Sequence, residues 1–286
     1  WFTPSFGWEI MFYIAGIPLL MLPILYLYLP ESLTFLVKKQ QNEKASKIVQ
    51  QISPEQNVTA STQFVLNEVH APDASIAALF KQGRSMSTLL FWCCFFMCLL
   101  MVYALGSWLP KLMMAAGYSL GNSLMFLMAM NIGAVVGTIG GGILADRFHL
   151  KPVIIGMFLL GAVSLVGLGF NSPQAVIYLL VAAAGASAIG SSILLYSFVA
   201  QYYPLAIRST GIGCASAVGR VGAIVGPIII GFLLGMELPH KMNFLAVAIP
   251  AIIGAISVAM IVRKDLNAER NAETLLAKQK LNSIKT

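Results

Sequence analysis

The sequence predicts an all-α integral membrane protein with seven transmembrane helices, and three observations carry that expectation. Hydrophobic residues make up 58% of the chain and charged residues 10%, with a mean hydropathy of +0.82, whereas a soluble domain devotes about a quarter of its residues to charge. The apolar residues gather in seven runs, at 8–29, 87–110, 122–145, 152–170, 174–199, 209–235 and 242–262. Each is long enough to cross a hydrocarbon core as a helix, which takes about 20 residues. Lysine and arginine fall on alternating sides of these runs, 15 on one side and 2 on the other, with Arg220 left over inside a run. Loops rich in these residues stay cytoplasmic.

The elements follow in order. The chain opens on "WFTPSFGWEIMF", which has neither an initiating Met nor a basic stretch before its first apolar run. That is not a signal peptide; the sequence reads as a fragment starting just before a span. Residues 30–86 are polar and hold Lys38, Lys39, Lys44, Lys47, Lys81 and Arg84, so they read as a cytoplasmic segment. Leu33, Leu36, Val37, Ile48, Val49 and Ile52 can share one face, which suggests an amphipathic helix on the inner membrane surface, stopped near Ser53-Pro54. Six spans fill 87–263. Arg147 and Lys151 mark the third-to-fourth loop as cytoplasmic and Arg208 the fifth-to-sixth; Lys111 and Lys241 lie opposite. Residues 264–286 form a basic cytoplasmic tail. Six spans after a long basic segment match half of a transporter built from two six-helix bundles, so residues 1–29 are expected to be the last helix of the preceding bundle.

The formal charge of +7 is explained by this topology and gives no sign of a nucleic-acid partner. Cys93, Cys94, Cys98 and Cys214 all lie in apolar runs and read as small hydrophobes, with no His or carboxylate neighbours to make a metal site. "GGGILA" at 140–145 matches a dinucleotide-binding pattern, but it ends an apolar helix instead of following a strand, so no cofactor is expected. Gly133, Gly137 and Gly141 recur every four residues and suit close helix packing. Gly211, Ala215, Gly219, Ala223, Pro227, Gly231 and Gly235 form a longer stripe, on which a neighbouring helix can pack, rock or slide.

Arg220 is the exceptional residue. It lies 12 positions beyond Arg208, about 18 Å of helix and so near the midplane of a core about 30 Å thick. A central arginine costs roughly 2.5–3.5 kcal/mol on insertion scales. Its side chain must face protein or a watery cavity. Two readings stand: it binds the carboxylate of an anionic substrate through its planar fork of donors, or it pairs with an acid or with helix carbonyls elsewhere. Tyr103, Trp108, Asn131 and Tyr196 are candidates for the wall of a substrate site. The interiors of spans two to seven hold no Asp or Glu, while His70, His149 and His240 lie in loops. Any proton coupling would therefore need a protonatable group outside these spans.

The loop after the third span reads "GGGILADRFHLKP". Gly142, Asp146, Arg147 and Lys151 resemble the G-x-L-A-D-R/K-x-G-R/K-R/K loop motif of the major facilitator superfamily, with His149 where the motif has glycine. "PES" at 30–32, "WLPKLMMAAGYSLG" and "QYYPLAIRSTGIGCASAVGRVGAIVGP" further resemble the aromatic acid:proton symporter family within it, most closely its bacterial benzoate transporters. The resemblance implies that the last six spans form the C-terminal six-helix bundle of a major facilitator fold in a bacterial inner membrane. It also implies import of an aromatic carboxylate, benzoate or a hydroxylated relative, together with a proton by alternating access. Asp146, Arg147 and Arg208 would then sit at the inner gate, and Arg220 would help hold the substrate. Transport of another organic anion or metabolite, and a seven-helix receptor or sensor, remain alternatives. An enzyme is disfavoured, because no nucleophile-base pair lies in the spans.

Overall fold

The structure is a computed structural model that describes residues 41–52 and 75–262, apart from 171, 237 and 238, together with isolated positions before residue 41. The chain divides into two compact units, Trp1–Val69 and His70–Thr286. In the first, Ile17–Met21 form a 3-10 turn with a proline in its first positions. Helix α1 spans Asn42–Ile52, with Leu36, Ala45 and Ser46 buried. Gln41, which is non-helical, separates it from the helical Leu36 and Val37. Most of the expected first span, the stop at Ser53-Pro54 and the tail beyond Val262 lie outside the described residues.

The second unit contains a 3-10 turn, Ile76–Phe80, followed by six long helices: α2 (Ser85–Ala115), α3 (Leu120–Phe148), α4 (Leu150–Leu168), α5 (Gln174–Tyr202), α6 (Leu205–Gly235) and α7 (His240–Met260). All six are long and apolar enough to cross a membrane. In lipid the backbone must satisfy its own hydrogen bonds, so continuous helix is the form these apolar runs adopt. Pro110, Pro227 and Pro250 lie within helices.

Helices α2 and α5 form the spine. The first packs against α6, α7, α5 and α3, and the second against α3, α4, α2 and α6. Phe91, Phe95, Phe126 and Phe158 are fully buried in the core around them. Helices α3 and α6 are the least covered. Each is held by a seam of small residues. A Cβ on Gly133 would overlap the backbone of Ala182, and one on Gly185 that of Met130, so α3 and α5 meet backbone to backbone. On α6 the buried small residues are Gly211, Ala215, Gly219, Gly222 and Gly226. This corrects the stripe expected from the sequence: after Gly219 the seam steps three residues to Gly222. A strict period of four drifts about 40° per step on a helix of 3.6 residues per turn, and Ala223 and Pro227 are only half-buried.

Two loops are shorter than hydropathy suggests. Arg208 lies in the first turn of α6, and Asp146 and Arg147 lie in the last turn of α3, because helical hydrogen bonding continues past the end of an apolar run. The third-to-fourth connection is reduced to His149, with φ 70° and ψ 152°. That conformation is essentially glycine's. The motif position that ordinarily holds glycine keeps glycine's backbone while carrying an imidazole.

Candidate functional site

Arg220 stands 15 residues from either end of α6. Its Nη1 donates to the Tyr103 hydroxyl of α2 at 2.9 Å. Two candidates separated by 117 residues in sequence are thus brought together at mid-depth, on the faces of α2 and α6 that the unit leaves open: both side chains are exposed. The seam explains the register. With Gly222 against the Phe96 backbone and a Cβ on Gly226 only 2.5 Å from the Leu100 carbonyl, α6 lies so close to α2 that the arginine reaches the phenol. One of the five guanidinium N–H donors is used, and the rest of the fork is available to a carboxylate.

Tyr196 lies beside this pair on α5. Its hydroxyl shares a hydrogen bond of 3.0 Å with Ser216 Oγ, one helical turn before Arg220, and its ring meets Phe95 edge-on at 4.9 Å between centroids. Ser216 and Phe95 join the site although the sequence argument did not single them out. The signal for Ser216 was its i−4 spacing from Arg220, which puts both on one helix face.

The other candidates lie elsewhere. Asn131 is exposed on α3, and its amide donates to the Leu127 carbonyl of its own helix at 2.8 Å; the partner that a mid-span amide requires is local. Trp108 packs its ring on α6, where a Cβ at Gly231 would stand 3.0 Å from Cζ2. Lys111 Nζ sits 4.6 Å from its centroid, a cation–π arrangement.

Of the expected gate residues, Asp146 lines a cavity of about 420 Å³ among the end of α3, the start of α4 and the end of α5, together with His149, Lys151, Gln201 and Tyr202. Lys151 Nζ donates to the Ile261 carbonyl at the end of α7, 2.8 Å away. Arg147 lies 5.6 Å from the Phe148 ring centroid, and Arg208 Nε is buried without a hydrogen-bond partner. Among the described residues no ion pair joins these three. Nearby, Thr88 Oγ1 donates to the Leu79 carbonyl at 2.9 Å, and Tyr203 Oη lies 2.8 Å from Thr88 Oγ1. Burial pushes the Tyr203 phenol above its ordinary range. No group of three or more His, Cys, Asp or Glu that could hold a metal is found among the described residues.

Six apolar helices with a cationic and hydroxyl-bearing strip at mid-depth define a polytopic membrane protein with a polar site facing out of its helical unit. The chain belongs to the Major Facilitator Superfamily, whose family model matches residues 1–204 and, a second time, 126–285. It is 47% identical to the benzoate transport protein of Acinetobacter baylyi over 261 residues, 91% of this chain and 56% of that relative. Identity to the gentisate transporter of Corynebacterium glutamicum is 33%, over 91% of this chain and 53% of the relative. The 4-hydroxybenzoate transporter of Acinetobacter baylyi is 32% identical, over 90% and 58% respectively. The chain spans about half the length of the curated relatives it matches.

Proposed function

We propose that this chain contributes the C-terminal six-helix bundle, α2–α7, and the last helix of the preceding bundle to a secondary transporter that imports an aromatic carboxylate with a proton. The single observation that carries the proposal is the Arg220–Tyr103 pair. A guanidinium at mid-membrane is costly, and here its partner is a neutral phenol, so its charge is left for an anion. The names of the relatives, which are transporters of benzoate, gentisate and 4-hydroxybenzoate, support an aromatic ring on that anion.

In this reading the carboxylate docks on the Arg220 fork, Tyr103 holds the fork in place, and Tyr196 supplies aromatic wall. The protein sits in a bacterial inner membrane with its tail on the cytoplasmic side, an orientation that the basic loops support. Asp146, Arg147 and Arg208 form the inner gate, unpaired in this conformation and paired in another. Asp146 is the only acid among the described residues of α2–α7, and it lies in the last turn of α3, far from Arg220. The proton is carried by a carboxyl outside these six helices.

The test is uptake of radiolabelled benzoate by cells making the full-length protein, with unlabelled aromatic acids as competitors and a protonophore as the coupling probe. Saturable uptake that collapses with the protonophore is expected. Uptake indifferent to the proton gradient, or a full-length sequence without a membrane carboxyl, refutes symport. Absence of aromatic acid uptake refutes the substrate class.

A further inference from the structure

From the geometry beside Arg220 we infer that the Tyr196–Ser216 hydroxyl pair is a specificity element that reads the ring substituent opposite the carboxylate of the bound acid. The inference rests on the proposed docking of that carboxylate on Arg220.

Ser216 precedes Arg220 by four residues in α6, a rise of about 6 Å with only about 40° of rotation. The two positions therefore lie on one face, one turn apart, close enough for a single substituted benzene ring to lie along both. Tyr196 reaches the same face from α5 and bonds Ser216 at 3.0 Å. The aromatic surface also lies on this side of the arginine, since the Tyr196 ring is braced edge-on by Phe95 at 4.9 Å. One turn the other way along α6 stands Ile224, exposed and apolar, which has nothing to offer a ring hydroxyl. An acid anchored on Arg220 and laid against Tyr196 directs the far edge of its ring at the two hydroxyls.

The pair suits discrimination because it is satisfied without a ligand. Tyr and Ser hydroxyls each donate once and accept twice, so their mutual bond leaves one donor and further acceptor sites. An unsubstituted ring edge leaves the mutual bond intact. A para-hydroxyl joins it as a third member, and a bulkier or charged para-substituent must break it.

The experiment measures a ratio, so that changes in total uptake cancel: the concentrations of unlabelled 4-hydroxybenzoate and unlabelled benzoate that halve binding or uptake of labelled benzoate. It is read for the full-length wild type, Tyr196→Phe, Ser216→Ala and the double variant, both in cells and by displacement on purified protein. Tyr196→Phe keeps the ring on Phe95, and Ser216→Ala keeps the helix, so each serves if the other fails to accumulate. The ratio is expected to shift against 4-hydroxybenzoate by about threefold to tenfold, one net hydrogen bond, with 3-hydroxybenzoate shifting less. A ratio within twofold of wild type in both single variants overturns the assignment. Equal shifts for the 3- and 4-hydroxy acids overturn the stated position. If wild type does not take aromatic acids at all, the underlying reading fails as well, and that outcome is distinct because labelled benzoate then shows no displaceable signal.

Discussion

Replacing Arg220 by Gln tests the centre of the proposed site, and the structure sets the size of the effect. Gln keeps a polar, hydrogen-bonding side chain two atoms shorter, and removes the charge and the fork. Losing the charged partner of a desolvated carboxylate costs about 2–5 kcal/mol, roughly 30-fold to several thousand-fold in apparent affinity. Tyr103 is expected to matter less, because its phenol orients the guanidinium through a single bond of 2.9 Å. Tyr103→Phe removes one net hydrogen bond worth about 0.5–1.5 kcal/mol. That is roughly a twofold to twelvefold loss in apparent affinity.

The double variant separates the two roles. If Tyr103 acts only by positioning Arg220, adding Tyr103→Phe to Arg220→Gln costs nothing further, a complete failure of additivity. The assay is initial-rate uptake of labelled benzoate across a concentration series, normalised to full-length protein in the membrane. Unaltered uptake by Arg220→Gln at wild-type abundance refutes Arg220 as the anion's anchor. An equal penalty for Tyr103→Phe in both backgrounds refutes its positioning role.

Three further outcomes follow from the packing, each read as a thermal midpoint of the full-length protein in detergent. Thr88→Val is expected to be destabilising by about 1–3 kcal/mol and Tyr203→Phe by less: Thr88 donates to the Leu79 carbonyl, so its loss strands both that carbonyl and the buried Tyr203 hydroxyl, whereas Tyr203→Phe leaves the Thr88–Leu79 bond in place. Equal penalties contradict this assignment of donors. Gly133→Ala should lower the midpoint sharply, because the new Cβ meets the Ala182 backbone, while Gly156→Ala, with nothing within 4 Å, should leave it level or raise it slightly. His149→Gly should raise the midpoint, since it relieves a residue at φ 70° and ψ 152°, a strain of about 1–3 kcal/mol; an unchanged or lower midpoint would mean that imidazole contacts in the Asp146 cavity outweigh the strain.

Hydropathy located the six long helices because lipid admits few alternatives to a continuous apolar helix. It misplaced the end of α3 and the start of α6, since Asp146, Arg147 and Arg208 are charged yet helical. Arg220 stood out because its environment is hostile to it, whereas nothing local in the sequence names Tyr103 as its partner from across α2. That pairing depends on the register of two helices set by Gly219, Gly222 and Gly226, and the register is a property of packing. Trp108 and Asn131 were legible as unusual residues, but their partners proved to be Gly231 and the Leu127 carbonyl. Neither partner announces itself by chemistry.

The seam on α6 also bears on how such a site could move. A smooth stripe of small residues invites the idea that α6 slides over its neighbour, but this seam is notched. Gly219, Gly222 and Gly226 each receive backbone or side-chain atoms of Phe95, Phe96, Leu99 and Leu100 where a Cβ would have stood. Sliding by less than a full turn, about 5.4 Å, drives those atoms into the Cα positions between the notches, and interiors packed this tightly switch between discrete arrangements instead of deforming continuously. The same displacement would part Arg220 from Tyr103. Helices α2 and α6 therefore carry the proposed anion site as one rigid rib, and the movement that the proposed transport requires would fall where this rib meets its other neighbours. A cross-link joining α2 to α6 across the seam should leave uptake intact; a cross-link that abolishes uptake while sparing benzoate binding would show that the rib has to flex.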